Sequence, residues 1–407
     1  MMFTLDMMLL LAAVALLIPI GVLFIECGAA LLPRLPATRQ QIIEPRPKVA
    51  VLIPAHNEAP GLRATLESLL PQITKRDQVI VVADNCIDDT ASIARNIDGV
   101  TVIERNDPHR QGKGYALDFG LSVLKTAPPD VVIMIDADCK VHPNTIYTLS
   151  RRAVTLGRPV QAIYISQPPL RPKTNDLISA LAFKVKNLVR PQGLARLGLP
   201  CLLTGSGMAF PWRVISKAGL ATGDITEDMR LSVELALAGH PPAFCAQAMV
   251  TSILPASMQA AKNQRTRWEH GHLKTVLSEG LRLFTGAIKQ RSFYLLALLL
   301  ELAVPPLALL VTVWGIFTAV TGLAAAMGGS PVPLMVLCFA GVLMVVAIAS
   351  AWAKYGRDLM PVTVLLKVPA YILWKVPIYL IFLVRAQNQW VRTPRDIPIE
   401  IDDMEGV

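Results

Sequence analysis

The chain reads as an α/β protein: a mainly parallel sheet with flanking helices, carried on transmembrane helices and followed by C-terminal interfacial helices. Three observations lead there. Short runs rich in Val and Ile alternate with helical spacings between residues 48 and 135. Three long stretches, 7–32, 304–327 and 331–352, are almost free of charge. The 407 residues are 53% hydrophobic with a mean hydropathy of +0.47, too apolar for an ordinary soluble enzyme.

Each charge-poor stretch exceeds the roughly 20 helical residues that a bilayer core requires. The first carries only Glu26 and follows a single charge, Asp6. It lacks the basic start, short apolar run and small-x-small site of a signal peptide, so it reads as an anchor. Arg34, Arg39, Arg46 and Lys48 follow it; Arg282, Lys289 and Arg291 precede the second stretch; Lys354 and Arg357 follow the third. The linker Gly328-Gly329-Ser330 has no charge. Basic residues mark the cytoplasmic side, so residues 35–291 are expected there.

Residues 361–384 are apolar, yet Lys367, Tyr371 and Lys375 recur every four residues and share a helix face. Arg357 before them and Arg385, Arg392 and Arg395 after them place both ends on one side, which a single crossing cannot satisfy. An interfacial helix, or two broken at Pro369 or Pro377, is expected. Residues 292–303, with Glu301 just before Pro305-Pro306, are expected partly at the interface as well. Four regions result: a transmembrane helix (1–34), a cytoplasmic domain (35–291), two transmembrane helices with a flanking interfacial segment (292–360), and amphipathic helices with a tail (361–407).

The net charge of +9 suits anionic lipid heads and a nucleotide diphosphate. Because the basic residues cluster at membrane boundaries, nucleic acid is disfavoured as a partner. Cys27, Cys86, Cys139, Cys201, Cys245 and Cys338 are scattered without a CxxC, which implies a reducing compartment and no structural zinc. His270 and His272 around Gly271 read as a polar surface turn rather than a metal site.

Within the cytoplasmic segment, residues 48–53 form a buried strand stopped by Pro54, and 59–70 have helical spacing. Strands are expected again at 78–82, 100–103 and 131–135, with helices at 90–97 and 114–124 between them. Alternation of this kind implies a mainly parallel sheet that binds ligands at the carboxyl ends of its strands. Polar residues stand at those ends: Pro54-Ala55-His56-Asn57-Glu58, then Asp84-Asn85-Cys86-Ile87-Asp88-Asp89, then Asp136-Ala137-Asp138. One such carboxylate is often only a helix cap, but three clusters at three strand ends point to a site. Asp136 and Asp138 suit a hard divalent cation such as Mg²⁺ or Mn²⁺.

Gly112-Lys113-Gly114 lacks the Ser or Thr of a P-loop, and no full G-x-G-x-x-G occurs, which disfavours a kinase, an ATPase and a dinucleotide-dependent dehydrogenase. The turn either presents Lys113 to a nucleotide or simply starts a helix. Thr226-Glu227-Asp228 offers a carboxylate base, and it also suits a helix start with Thr226 as cap. In Gln264-Arg265-Thr266-Arg267-Trp268 the guanidinium forks match diphosphate oxygens, and the indole offers a stacking face for a sugar or a membrane anchor.

With these motifs together, the chain resembles the membrane-integrated family 2 glycosyltransferases, the cellulose, poly-N-acetylglucosamine and hyaluronan synthases. The resemblance runs from the 54–58 turn to Trp268 and implies a GT-A-like catalytic domain at a bacterial inner membrane. It implies that Pro54, Ala55, Glu58 and Asp84 hold the uridine of a UDP-sugar, with Lys113 and Asp136 in the nucleotide site and Asp136 and Asp138 on the metal. By the same resemblance Asp228, within Thr226-Glu227-Asp228, is the general base. Gln264, Arg265, Arg267 and Trp268 close over the diphosphate and acceptor sugar, and Thr204, Gly205 and Ser206 line the acceptor.

Two departures stand out. Ala83-Asp84-Asn85-Cys86 replaces the usual Asp-Asp-Gly-Ser, and three spans are few for enclosing a channel, so a second copy or an export partner would complete one. The expected reaction is an inverting transfer to a growing β-linked glycan. The alternatives are single-sugar transfer to a lipid-linked acceptor and a non-enzymatic scaffold, which the intact Asp136, Asp138 and Asp228 disfavour.

Overall fold

The computed structural model describes residues 2–33, 46–255 and 257–384. Arg34, Arg39, Arg385, Arg392 and Arg395, used above for orientation, lie outside the described residues. In chain order the elements are α1 (Met2–Ala29), β1 (Val49–Ala55), α2 (Ala59–Leu69), β2 (Gln78–Asp84), α3 (Thr90–Arg95), β3 (Val100–Arg105), α4 (Lys113–Leu124), β4 (Val131–Met134), β5 (Lys140–Val141), α5 (Thr145–Leu156) and β6 (Val160–Gln167). They continue with α6 (Thr174–Lys184), α7 (Arg190–Arg196), β7 (Met208–Pro211), α8 (Trp212–Ile215), α9 (Glu227–Leu237), β8 (Ala243–Ile253) and α10 (Met258–Gln290). The last are α11 (Phe293–Ala303), α12 (Leu307–Ala326), α13 (Val332–Tyr355), α14 (Val362–Leu365) and α15 (Val368–Val384).

Two compact units share these elements. Among the described residues, the larger sheet unit comprises 46–172, 203–255 and 257–271. Its eight strands run in the order β3-β2-β1-β4-β7-β6-β8-β5. The β1–β2, β2–β3, β1–β4 and β6–β8 pairs are parallel, whereas β7 is antiparallel to both its neighbours and β5 to β8. Strand order reverses between β1 and β4, so their carboxyl ends open a crevice at a switch point. The expected β/α alternation up to residue 135 is therefore present, in a sheet that is mixed rather than uniformly parallel.

Apolar continuity explains the central strands, whose two faces are both covered: β4 is buried throughout. Phe210 on β7 is fully buried with Leu52, Met134 and Leu117 in one core. Truncating such a phenylalanine to Ala typically costs about 3–5 kcal/mol. Helix α4 lies so close to β1 that a β-carbon on Gly120 would collide with Leu52.

Among the described residues, the second unit comprises 2–33, 173–202 and 272–384. Among the described residues it holds three helices long and apolar enough to cross a membrane: Phe3–Ala29, Leu307–Ala326 and Val332–Tyr355. They coincide with the three charge-poor stretches of the sequence. Residues 173–202, inside the segment expected to be cytoplasmic, belong to the same unit as these helices. Arg190 fastens them: its Nε donates to Glu26 at 2.5 Å and its Nη2 to the Glu301 carbonyl at 2.8 Å. All three side chains are buried: Arg190 and Glu26 form an ion pair, and Glu301 Oε2 accepts from Leu202 N at 2.9 Å.

Of the expected stripe, Lys367 precedes α15 and is exposed, whereas Tyr371 and Lys375 lie on the helix. Tyr371 and Lys375 are buried, Tyr371 bonds Ser179 at 2.8 Å, and Leu373 and Leu380 on the same helix are exposed. One correction concerns His270 and His272. Both are buried within α10, not in a surface turn. His272 donates from Nε2 to the Leu302 carbonyl at 3.0 Å, and burial pushes its pKa down to about 3, so the ring is neutral.

Candidate functional site

Two groups of the expected residues meet at the carboxyl ends of the strands. The first joins the turns after β1 and β2. Asn57 and Asn85 both adopt the left-handed conformation, with φ of 54° and 50°, which short polar side chains tolerate by bonding locally. Asn57 Oδ1 accepts from Ile87 N at 2.8 Å, and Asn85 Oδ1 accepts from Asp107 N at 2.7 Å. Glu58 stands at the N-cap position of α2 and donates its backbone N–H to Thr90 Oγ1 at 2.8 Å. Pro54 and Ala55 close β1, in register with Val82 and Ala83 of β2. Cys86, at a departure from the family pattern, stitches the turns: its thiol donates to the Ala55 carbonyl and accepts from Asn57 N, each at 3.4 Å.

Asp84 ends β2 almost fully buried, and its Oδ1 accepts from Arg105 Nη1 at 2.6 Å. Burial raises the carboxyl above its ordinary range while Arg105 opposes the rise. Arg105 was not foreseen. It ends β3 directly opposite Asp84 in the parallel register, and its guanidinium also pairs with Asp107 at 3.2 Å.

The second group is centred on Lys113. Gly112, with φ of 136°, precedes α4 in a conformation that favours glycine, so Lys113 is the first helical residue. Its Nζ lies 2.5 Å from Asp136 Oδ1 and 3.5 Å from Glu227 Oε1, and donates to the Gly205 carbonyl at 2.6 Å. A β-carbon at Gly205 would sit 3.4 Å from Asp228 Oδ2, so that carboxylate borders the same point. Burial alone would depress the lysine, but Asp136 and then Glu227 outweigh it and hold the ammonium charged. Burial pushes Glu227 up to about 7, with Lys113 opposing and Asp228 adding to the rise.

Glu227 and Asp228 occupy the first turn of α9, and Thr226 stands at its N-cap without a side-chain capping bond. The helix-start reading is thus realised, with Glu227 of that first turn beside Lys113. The 204–206 turn is held by Gln161, a fully buried residue that sequence reasoning missed. Gln161 Oε1 accepts from Thr204 N, and its Nε2 donates to the Ser206 carbonyl, both at 2.9 Å. Ser206 Oγ in turn accepts from Asp136 N at 3.0 Å.

Asp136, Asp138 and Cys139 bring ligand atoms within 4.8 Å of one another. The two carboxylates fit a hard divalent cation. Cys139 adds little to such a site, because burial lifts its thiol well above the usual range and keeps it protonated.

Gln264, Arg265, Arg267 and Trp268 all lie on α10, the first two buried and the last two half-buried. Less than one turn beyond Trp268, Gly271 packs against Thr226. Two polar atoms, Thr204 Oγ1 and Gln264 Oε1, are buried without a hydrogen-bond partner.

A family model described as "Glycosyltransferase like family 2" matches residues 45–271, more than half of the chain. The chain belongs to this family. It is 25% identical over 264 residues to a poly-beta-1,6-N-acetyl-D-glucosamine synthase of Staphylococcus aureus (strain COL), covering 62% of this chain and 60% of that one. It is 26% identical over 246 residues to the probable glycosyltransferase YdaM of Bacillus subtilis (strain 168), covering 57% and 56%. Each match therefore spans less than two thirds of the relative's length. Among solved structures, a mannosyltransferase from Pyrobaculum calidifontis in complex with GDP-Man and Mn²⁺ superposes with a TM-score of 0.56 over 93% of this chain and 100% of that one, at 18% identity. That likeness is one of fold. The mixed sheet is that of a GT-A-like glycosyltransferase domain.

Proposed function

We propose that this chain is an inverting glycosyltransferase of a bacterial inner membrane that passes a sugar from a UDP-sugar to a growing β-linked polysaccharide. One observation carries the reading. The ammonium of Lys113 is shared by Asp136 after β4, Glu227 of α9 and the Gly205 carbonyl, so the expected donor-side, base and acceptor-side motifs converge on one point. The synthase relative from Staphylococcus aureus supports a polymer product.

In this reading the 54–58 turn and Asp84 receive the nucleoside, while Lys113, Arg265 and Arg267 face the diphosphate. Asp136 and Asp138 would hold Mg²⁺ or Mn²⁺, which when bound would offset the negative charge of the diphosphate. Asp228 accepts the proton of an acceptor hydroxyl as that oxygen bonds to the anomeric carbon. The bond from that carbon to the diphosphate breaks, its electron pair leaves with UDP, and Lys113 offsets the developing charge. A single displacement inverts the centre. Trp268 stacks the acceptor sugar, and the buried Thr204 Oγ1 and Gln264 Oε1 favour a hydroxyl-rich ligand nearby. Residues 35–291 face the cytoplasm, and a second copy or an export partner completes a path for the glycan.

A second reading has one sugar added to a lipid-linked acceptor. It is favoured by the small membrane portion, with three helices of spanning length among the described residues. Product size under excess UDP-sugar separates the two. A ladder or long polymer supports the synthase, and extension by one residue sinks it.

A further inference from the structure

Beyond His272, α10 shows three faces. Thr275, Glu279, Leu283 and Gly286 are buried. Leu277, Leu281, Phe284 and Ile288 recur at intervals of four, three and four, and are 75%, 70%, 48% and 62% exposed. At 3.6 residues per turn these four side chains fall within about 60° of arc. Lys274, Lys289 and Arg291 are exposed beside them. The only acid between residues 272 and 294 is Glu279, buried and bonded to Arg282 at 2.5 Å. Exposed Phe293 and Tyr294 continue the apolar surface into α11.

We infer that this face of residues 274–294 rests on a bilayer surface rich in anionic lipid. Four large apolar side chains in one stripe, bordered by charges of a single sign, form the pattern of a helix lying in the headgroup region. Its charge complements phosphate headgroups, and a second copy docked on the same face would bring like charges together. The surface is also continuous with the aromatic start of α11, in the same unit as the three spanning helices. Tyr294 suits that position, since tyrosine favours the membrane–water boundary.

The test uses the full chain in lipid nanodiscs containing equal amounts of phosphatidylglycerol and phosphatidylcholine. A benzophenone amino acid is placed at Leu281, at Phe284 in a second variant, and at the exposed Lys75 of the sheet unit as control. After illumination, intact masses should show one phospholipid added at positions 281 and 284 and none at 75. Phosphatidylglycerol should exceed phosphatidylcholine in the adducts by about threefold, given the pull of each basic residue on an anionic surface. Replacing Lys274, Lys289 and Arg291 with Gln should return that ratio to about one. Absence of lipid adducts at both positions, joined chains in their place, or equal capture of the two lipids by the unsubstituted basic face would overturn the inference.

Discussion

Gly271 of α10 lies so close to Thr226 that a β-carbon there would stand 2.6 Å from the threonine Cγ2. This contact seats the helix bearing Gln264 to Trp268 against the start of α9, where Asp228 sits. Gly271→Ala should cost about 1–3 kcal/mol by overpacking, partly offset by about 1 kcal/mol of helix propensity. The melting temperature should therefore move little, while turnover falls roughly tenfold to a hundredfold through displaced geometry. Parallel thermal melts and rate measurements check this, and an active Gly271→Ala enzyme would show that the contact is slack.

Asp228→Asn should retain UDP binding and lose turnover by about 10²–10⁴-fold, because it removes a proton acceptor and almost no volume. Calorimetry and initial rates on one preparation test both halves. Retention of more than about a tenth of wild-type turnover would move the base elsewhere.

Removal of Asp138 should uncouple nucleotide from metal. In the native protein, chelation of Mg²⁺ or Mn²⁺ should weaken UDP affinity. In Asp138→Ala that difference should disappear, as read by calorimetry with and without chelator.

Glu227 sets a pH dependence. Its folded pKa of about 7 exceeds its ordinary value of 4.5, so the folded state binds the extra proton between those values. The stability it contributes is full below pH 4.5 and declines as pH rises through about 7. Melting temperatures across that window should fall with rising pH in the native protein and flatten in Glu227→Gln.

The membrane orientation has its own check. Reporter fusions at Asn263 should be active only in their cytoplasmic form, and activity only outside the cell would reverse the topology.

Much of the fold was legible because it is local. The Val- and Ile-rich runs located β1 to β4 to within two residues, and charge-free length located the three long apolar helices. The far half of the sheet was silent for physical reasons. β5 has two residues, β7 has four, and the β6–β8 pairing slips at Ala162/Ile163, so no period of two persists. The motifs named Lys113, Asp136 and Asp228, but not the residues that aim them. Gln161 is one glutamine at the start of a strand, and its hold on the 204–206 turn spans 45 residues. Only Arg105 left a trace, as a charge ending its strand where Asp84 ends the next.

Residues 173–202 interrupt the sheet between β6 and β7, yet they pack with the apolar helices. Laboratories seeking a soluble catalytic fragment would naturally excise residues 45–271. Such a fragment would carry Ile178, Leu181, Val185 and Val189 stripped of their apolar surroundings, together with Arg190 deprived of both Glu26 and Glu301. Detergent-free expression of that piece should give aggregates, and the enzyme is best handled as a whole chain.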